Sequence, residues 1–87
     1  MIVLRADRSD FTHAESIART FGEHACQSLC VPDEVVQSLD EFARENAANG
    51  LVVVHRSCSS KWLLSRLQEV RKFLSTDLGK RWACAVW

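Results

Sequence analysis

The sequence predicts a small α/β domain with a three-stranded, mainly parallel sheet covered by helices. Three observations predict it. Met1–Leu4 and Leu51–Val54 are short apolar runs without polar alternation, the mark of strands buried on both faces. Helix-period stripes stand between and after them. Residues 81–87 alternate as a strand does. The expected order is β-α-α-β-α-β, with right-handed crossovers between parallel neighbours.

Each element has its own signals. Met1–Leu4 opens the chain as a buried strand. Thr12-His13-Ala14-Glu15 fits a capping box, and Ala14, Ile17, Ala18, Phe21 and Ala25 follow as one apolar stripe. This helix is expected to end between Ala25 and Leu29. Pro32 suits the first turn of a second helix, with Asp33 and Glu34 at the positive end of its dipole. Val35 or Val36, Leu39, Phe42, Ala43 and Ala47 form its buried face, and Asn49-Gly50 stops it. Leu51–Val54 is the second strand. Ser57 or Ser59 caps a third helix whose stripe runs through Leu63, Leu67, Val70, Leu74 and Leu78, widened by Leu64 and Phe73. Gly79 is its stop. In the last strand Trp82, Cys84 and Val86 take one face, and Ala83, Ala85 and Trp87 the other.

Eighty-seven residues suit one domain spanning 1–87, and 47% hydrophobic with 25% charged residues is ordinary for a folded chain. No stretch approaches the roughly 20 apolar residues of a membrane span, and no signal-peptide core is visible. The reading is a cytoplasmic protein, carried in a cytosol by its host or by a phage or other mobile element, without a membrane role. Cys26, Cys30, Cys58 and Cys84 read as free thiols in that compartment. Net charge is zero but unevenly placed. Residues 1–50 carry four basic and nine acidic residues, a net of −5; residues 51–87 carry seven basic and two acidic, a net of +5. Such a dipole steers charged partners or drives self-association.

Five places carry candidate chemistry. Two strands end in polar turns, Arg5–Asp10 and His55–Ser60, and open α/β sheets collect ligands outside such ends. In the second turn Cys58, Arg56 and Ser59, with Asp7 from the first, suit a phosphate- or thiol-handling site at a helix start. The pattern departs from the Cys-x5-Arg phosphatase loop, since Leu64 is the sixth residue after Cys58. It departs from thioredoxin-like sites too, since Lys61 stands where a second Cys or Ser belongs. Cys26 and Cys30, four apart on a helix, and His24, His55 and Cys58 lack the spacing of a zinc finger or ribbon. Asp7, Asp10 and His13 suit acid–base work or magnesium if they face His55. Lys61, Arg66, Arg71, Lys72, Lys80 and Arg81, near Trp62 and Trp82, suit nucleic acid, but a sequence pI of 6.8 is low for it. Three tryptophans in a chain without tyrosine suit a protein interface.

No set combines nucleophile, base and oxyanion donors, so catalysis, metal and cofactor are not the favoured reading. The sequence favours a non-enzymatic protein-binding regulator or inhibitor that occludes a partner's surface. Its contact residues are Trp62, Arg66, Lys72, Arg81 and Trp87. Self-association through the C-terminal strand is its natural companion. The thiol- or phosphate-handling enzyme and the nucleic-acid binder are the alternatives.

Overall fold

A computed structural model describes residues 1–33, 36, 38–46 and 48–87. The predicted Glu34, Val35 and Ala47 positions lie outside the described residues. The architecture is α/β: β1 (Ile2–Ala6), α1 (Phe11–Glu23), β2 (Ser28–Pro32), α2 (Leu39–Glu45), β3 (Gly50–Val53), α3 (Ser60–Leu74) and β4 (Ala83–Val86). Short 3-10 turns at Arg8–Asp10 and Gly79–Arg81 precede α1 and β4. The strands form one parallel sheet in the order β2-β1-β3-β4.

The fourth strand corrects the expected order. Residues 28–32 form β2, where the sequence reading places the end of one helix and the start of the next. Helix α1 stops at Glu23 through a Schellman pair: Cys26 N–H donates to Phe21 O (2.9 Å) and Ala25 N–H to Gly22 O (3.1 Å). Ala25 takes the left-handed conformation, φ 57°. Pro32 closes an edge strand, a place that tolerates a missing N–H. Cys26 and Cys30 therefore sit on a loop and a strand, not one helix turn apart. Helix α2 starts at Leu39, capped by Ser38 on Glu41 N–H at 3.4 Å.

Parallel strands buried on both faces alternate their contacts. Val3, Leu51 and Val53 meet Val36, Leu39, Ala43, Val70, Phe73 and Trp82 on the α2–α3 side. Leu4, Ala6, Val52 and Val54 meet Ala14 and Ile17 of α1. Phe73 and Trp82 pack edge-on at 5.4 Å. The inward face of α3 is turned from the expected stripe: Trp62 is half-buried against the core, while Leu64 and Leu74 stand exposed. Arg66, also half-buried, turns this face inward toward Asp33. The helix ends at Leu74, and Gly79 opens the turn into β4. At α1 no capping box forms; Asp7 caps the preceding 3-10 turn instead. No helix among the described residues is long and apolar enough to cross a membrane.

Candidate functional site

Strand β1 leads by α1 to β2 on one side, and β3 leads by α3 to β4 on the other. The switch point lies between the carboxyl ends of β1 and β3, the place where this architecture opens a crevice. Asp7, Asp10, Arg56, Cys58 and Ser59 all come from the two loops there.

Asp10 closes that crevice. The turn Arg8–Asp10 aims its side chain inward, where it is 1% exposed. Its carboxylate accepts the backbone N–H groups of Ser57 (2.7 Å), Cys58 (3.0 Å) and Arg56 (3.1 Å). Three successive N–H groups around one anion make a nest. Burial pushes the Asp10 carboxyl up, but the three amide hydrogen bonds outweigh it and hold the group below its ordinary value of 3.8. The Cys58 thiol is pushed up by burial, then by its hydrogen bond to Asp10 and that carboxylate's charge.

The neighbours are engaged as well. Asp7 accepts from the Ser9 hydroxyl (2.7 Å) and backbone N–H (3.4 Å). Ser59 Oγ caps α3 by accepting from Trp62 N–H at 3.1 Å. Exposed Arg56 places Nη1 3.3 Å from His13 Nδ1. Among the described residues no three His, Cys, Asp or Glu side chains cluster to hold a metal. The structure thus brings the four thiol-site candidates to one sheet end, with the anion position already filled by Asp10.

A second polar cluster lies on the α2–α3 side. Arg5, expected in a loop, is instead in β1 and fully buried. Its Nε reaches Asp33 at 2.9 Å, its Nη1 reaches Glu69 at 3.2 Å, and Nη2 donates to Val36 O at 3.4 Å. Arg66 bridges the same carboxylates at 3.5 and 3.2 Å and lies over the Trp62 ring at 6.0 Å. Arg66 is therefore a half-buried part of this ionic cluster, and half-buried Trp62 borders it. Nothing local in the sequence flags Arg5, because its partners lie 28 and 64 positions away.

The other contact candidates fall elsewhere. Lys72 is exposed beside a hollow lined by Leu39, Asp40, Glu69 and Phe73. Arg81 is exposed in the turn before β4. Trp87 is half-exposed on the opposite face of the sheet, edge-on to Phe21 at 5.6 Å. Trp87 is thereby separated from Trp62, which packs on the α2–α3 side.

The clearest open surface is the edge strand β4. Ala83 N–H donates to Asn49 O and Trp87 N–H to Val53 O, so residues 83, 85 and 87 turn their backbone to β3. By the alternation of a parallel ladder, Cys84 and Val86 turn theirs outward. Val86 is 53% and Trp87 50% exposed. Helix α1 packs on β1 and β2 and, through Ala14 and Ile17, on β3, and leaves β4 barer. There a hollow of about 300 Å³ is lined by Ile2, Gly50, Val52, Ala83 and Ala85. No protein-family model, curated protein or solved structure significantly matches this chain.

Proposed function

We propose that this protein is a non-enzymatic binding module that regulates or inhibits a partner protein by occluding its surface. One contrast carries the reading. The crevice where this sheet would take a small ligand is filled by Asp10, while Val86 and Trp87 stand half-exposed on an edge strand beside an apolar hollow. A partner's extended segment adds to β4, and the Trp87 ring anchors it. The basic second half of the chain steers acidic partners. The thiol alternative has less support, because burial and Asp10 disfavour the Cys58 thiolate. The nucleic-acid alternative loses Arg66, whose charge is paired within the protein.

Tagged protein and its Trp87→Ala variant, each confirmed folded, are immobilised and exposed to lysate of the source cell. The expected result is a discrete protein captured by the parent chain and lost from the variant. Equal capture by both, or capture by neither, overturns the reading.

A further inference from the structure

We propose that β4 also pairs with β4 of a second copy, antiparallel about a two-fold axis at Ala85, giving one eight-stranded sheet. The proposal rests on the reading of β4 as a docking edge; the edge takes one strand at a time, so a second copy occupies it in the free protein and a partner's segment displaces that copy.

The two edges of the sheet are unequal. On β2, Ile2 N–H donates to Gln27 O, so Gln27, Leu29 and Val31 face β1 and Ser28, Cys30 and Pro32 face outward. Pro32 has no N–H to offer, and its ring obstructs an added strand. On β4, Cys84 and Val86 present free outward N–H and C=O groups. Residues 82–87 include no charged side chain and no proline, the usual guards of an exposed edge. With Pro32 guarding the end of β2, β4 is the less obstructed edge, and pairing it with its own copy is two-fold. The result is an isologous dimer that closes, not a fibre.

The register follows from the outward groups. Trp82 N–H is already donated to Gly79 O at 3.0 Å, so pairing that starts at Trp82 would leave groups unmatched. Placing Cys84 opposite Val86 of the other copy uses all four outward groups of each chain. Ala85 then faces Ala85 across the axis as a non-hydrogen-bonded pair. Ala83 lies beside Trp87 of the other copy, on the α1 side of both sheets. Each indole thus borders the other copy's hollow, whose floor is Ala83, Ala85 and Val52. Lys80 and Arg81 fall outside the seam, at its two ends, so self-pairing opposes no like charges. A seam this short falls below the ~1,200 Å² typical of stable interfaces. The hollow and the exposed parts of Val86 and Trp87 add apolar area, and the dimer is reversible.

The test uses the purified 87-residue chain in sedimentation equilibrium over about two decades of concentration. Two variants accompany it. Val86→Pro deletes an outward N–H, which an edge strand tolerates, and is checked for folding by circular dichroism. Ala85→Cys, with the four native cysteines changed to Ser, places two thiols about 4.5 Å apart at Cα across the axis, within disulfide reach. The expected results are a mass that doubles with concentration, a folded Val86→Pro variant that stays monomeric, and a disulfide dimer of Ala85→Cys on mild oxidation. If Val86→Pro fails to fold, the cross-link decides. A wild-type mass that stays monomeric throughout overturns the proposal, as does a dimer that Val86→Pro retains or that Ala85→Cys does not cross-link. Loss of the dimer while lysate capture still depends on Trp87 sinks this inference alone; loss of both sinks the docking edge itself.

Discussion

Asp10 and Ser57 are 47 residues apart in sequence and 2.7 Å apart in space, carboxylate oxygen to backbone N–H. With the N–H groups of Arg56 and Cys58 on the same carboxylate, this contact ties the loop after β1 to the loop after β3. The fold places these loops at the switch point of the sheet, where the Asp10 carboxylate takes up three backbone donors.

The tie makes stability depend on acid. The folded-state carboxyl of Asp10 lies below its ordinary 3.8, so the charged form is favoured by folding. Its stabilisation is fully present above the ordinary value and is lost as pH falls through the lower folded value. Asp10→Asn removes the charge and turns an amide donor toward backbone donors. We expect it to cost about 3 kcal/mol near neutral pH. Urea titrations of both proteins between neutral and about pH 2.5 check this: the gap between them should narrow below pH 4.

Arg5 and Arg66 share Asp33 and Glu69 but differ in burial. Arg5 has no exposed side-chain surface, whereas Arg66 keeps 23%. Arg5→Ala leaves a cavity under the sheet and two carboxylates short of their main cation. Its expected cost is about 3–5 kcal/mol. Arg66→Ala exposes its partners to water more readily and should cost about 1 kcal/mol or less. Comparing urea midpoints at constant m-value tests the ranking, and equal costs would contradict it.

Much of the fold is legible in the sequence because burial on both faces leaves a plain signal. Leu51–Val54 is apolar throughout, and its strand is buried throughout. The alternation of Trp82, Cys84 and Val86 against Ala83, Ala85 and Trp87 survives in β4. Strand β2 is not legible, for a local reason. Helices commonly announce such a stop with Gly or Asn at the left-handed position, and here that position is Ala25. Gly22 lies inside the helix instead. Pro32 fits a helix start as well as an edge-strand end, and only the sheet decides between them. Of the site, Asp7, Asp10 and His13 are visible as a cluster. The tie from Asp10 to the backbone of Arg56, Ser57 and Cys58 is not visible, because it depends on β1 and β3 becoming neighbours.

Ala25 itself gives a prediction with the opposite sign. An L-residue in the left-handed region carries about 1–2 kcal/mol of strain, which glycine relieves at the cost of a freer unfolded chain. Ala25→Gly is expected to stabilise the protein by about 0.5–1 kcal/mol, raising Tm by roughly 4 °C. Gly79→Ala should do the reverse. A methyl group there would collide with the Phe73 carbonyl, and the backbone must shift at a cost of about 2–3 kcal/mol. Thermal melts of the two variants, moving in opposite directions, are the check.

Cys58 separates the binding reading from the thiol alternative. Burial comes first and the Asp10 carboxylate second in pushing its thiol above the ordinary 9.0. At pH 8 it should therefore hold less thiolate than free cysteine and react more slowly with iodoacetamide. The measurement needs Cys26, Cys30 and Cys84 changed to Ser, so that one thiol reports. Asp10→Asn in that background should accelerate the reaction under conditions where both proteins remain folded, since the repelling charge is gone. Cys58→Ser should leave both Tm and partner capture nearly unchanged, because the serine hydroxyl can still donate to Asp10 and the loop is held mainly through its backbone N–H groups. A native-state rate above that of free cysteine would mean that something in the loop stabilises the thiolate, and the thiol site would then displace the docking edge as the first place to look for function.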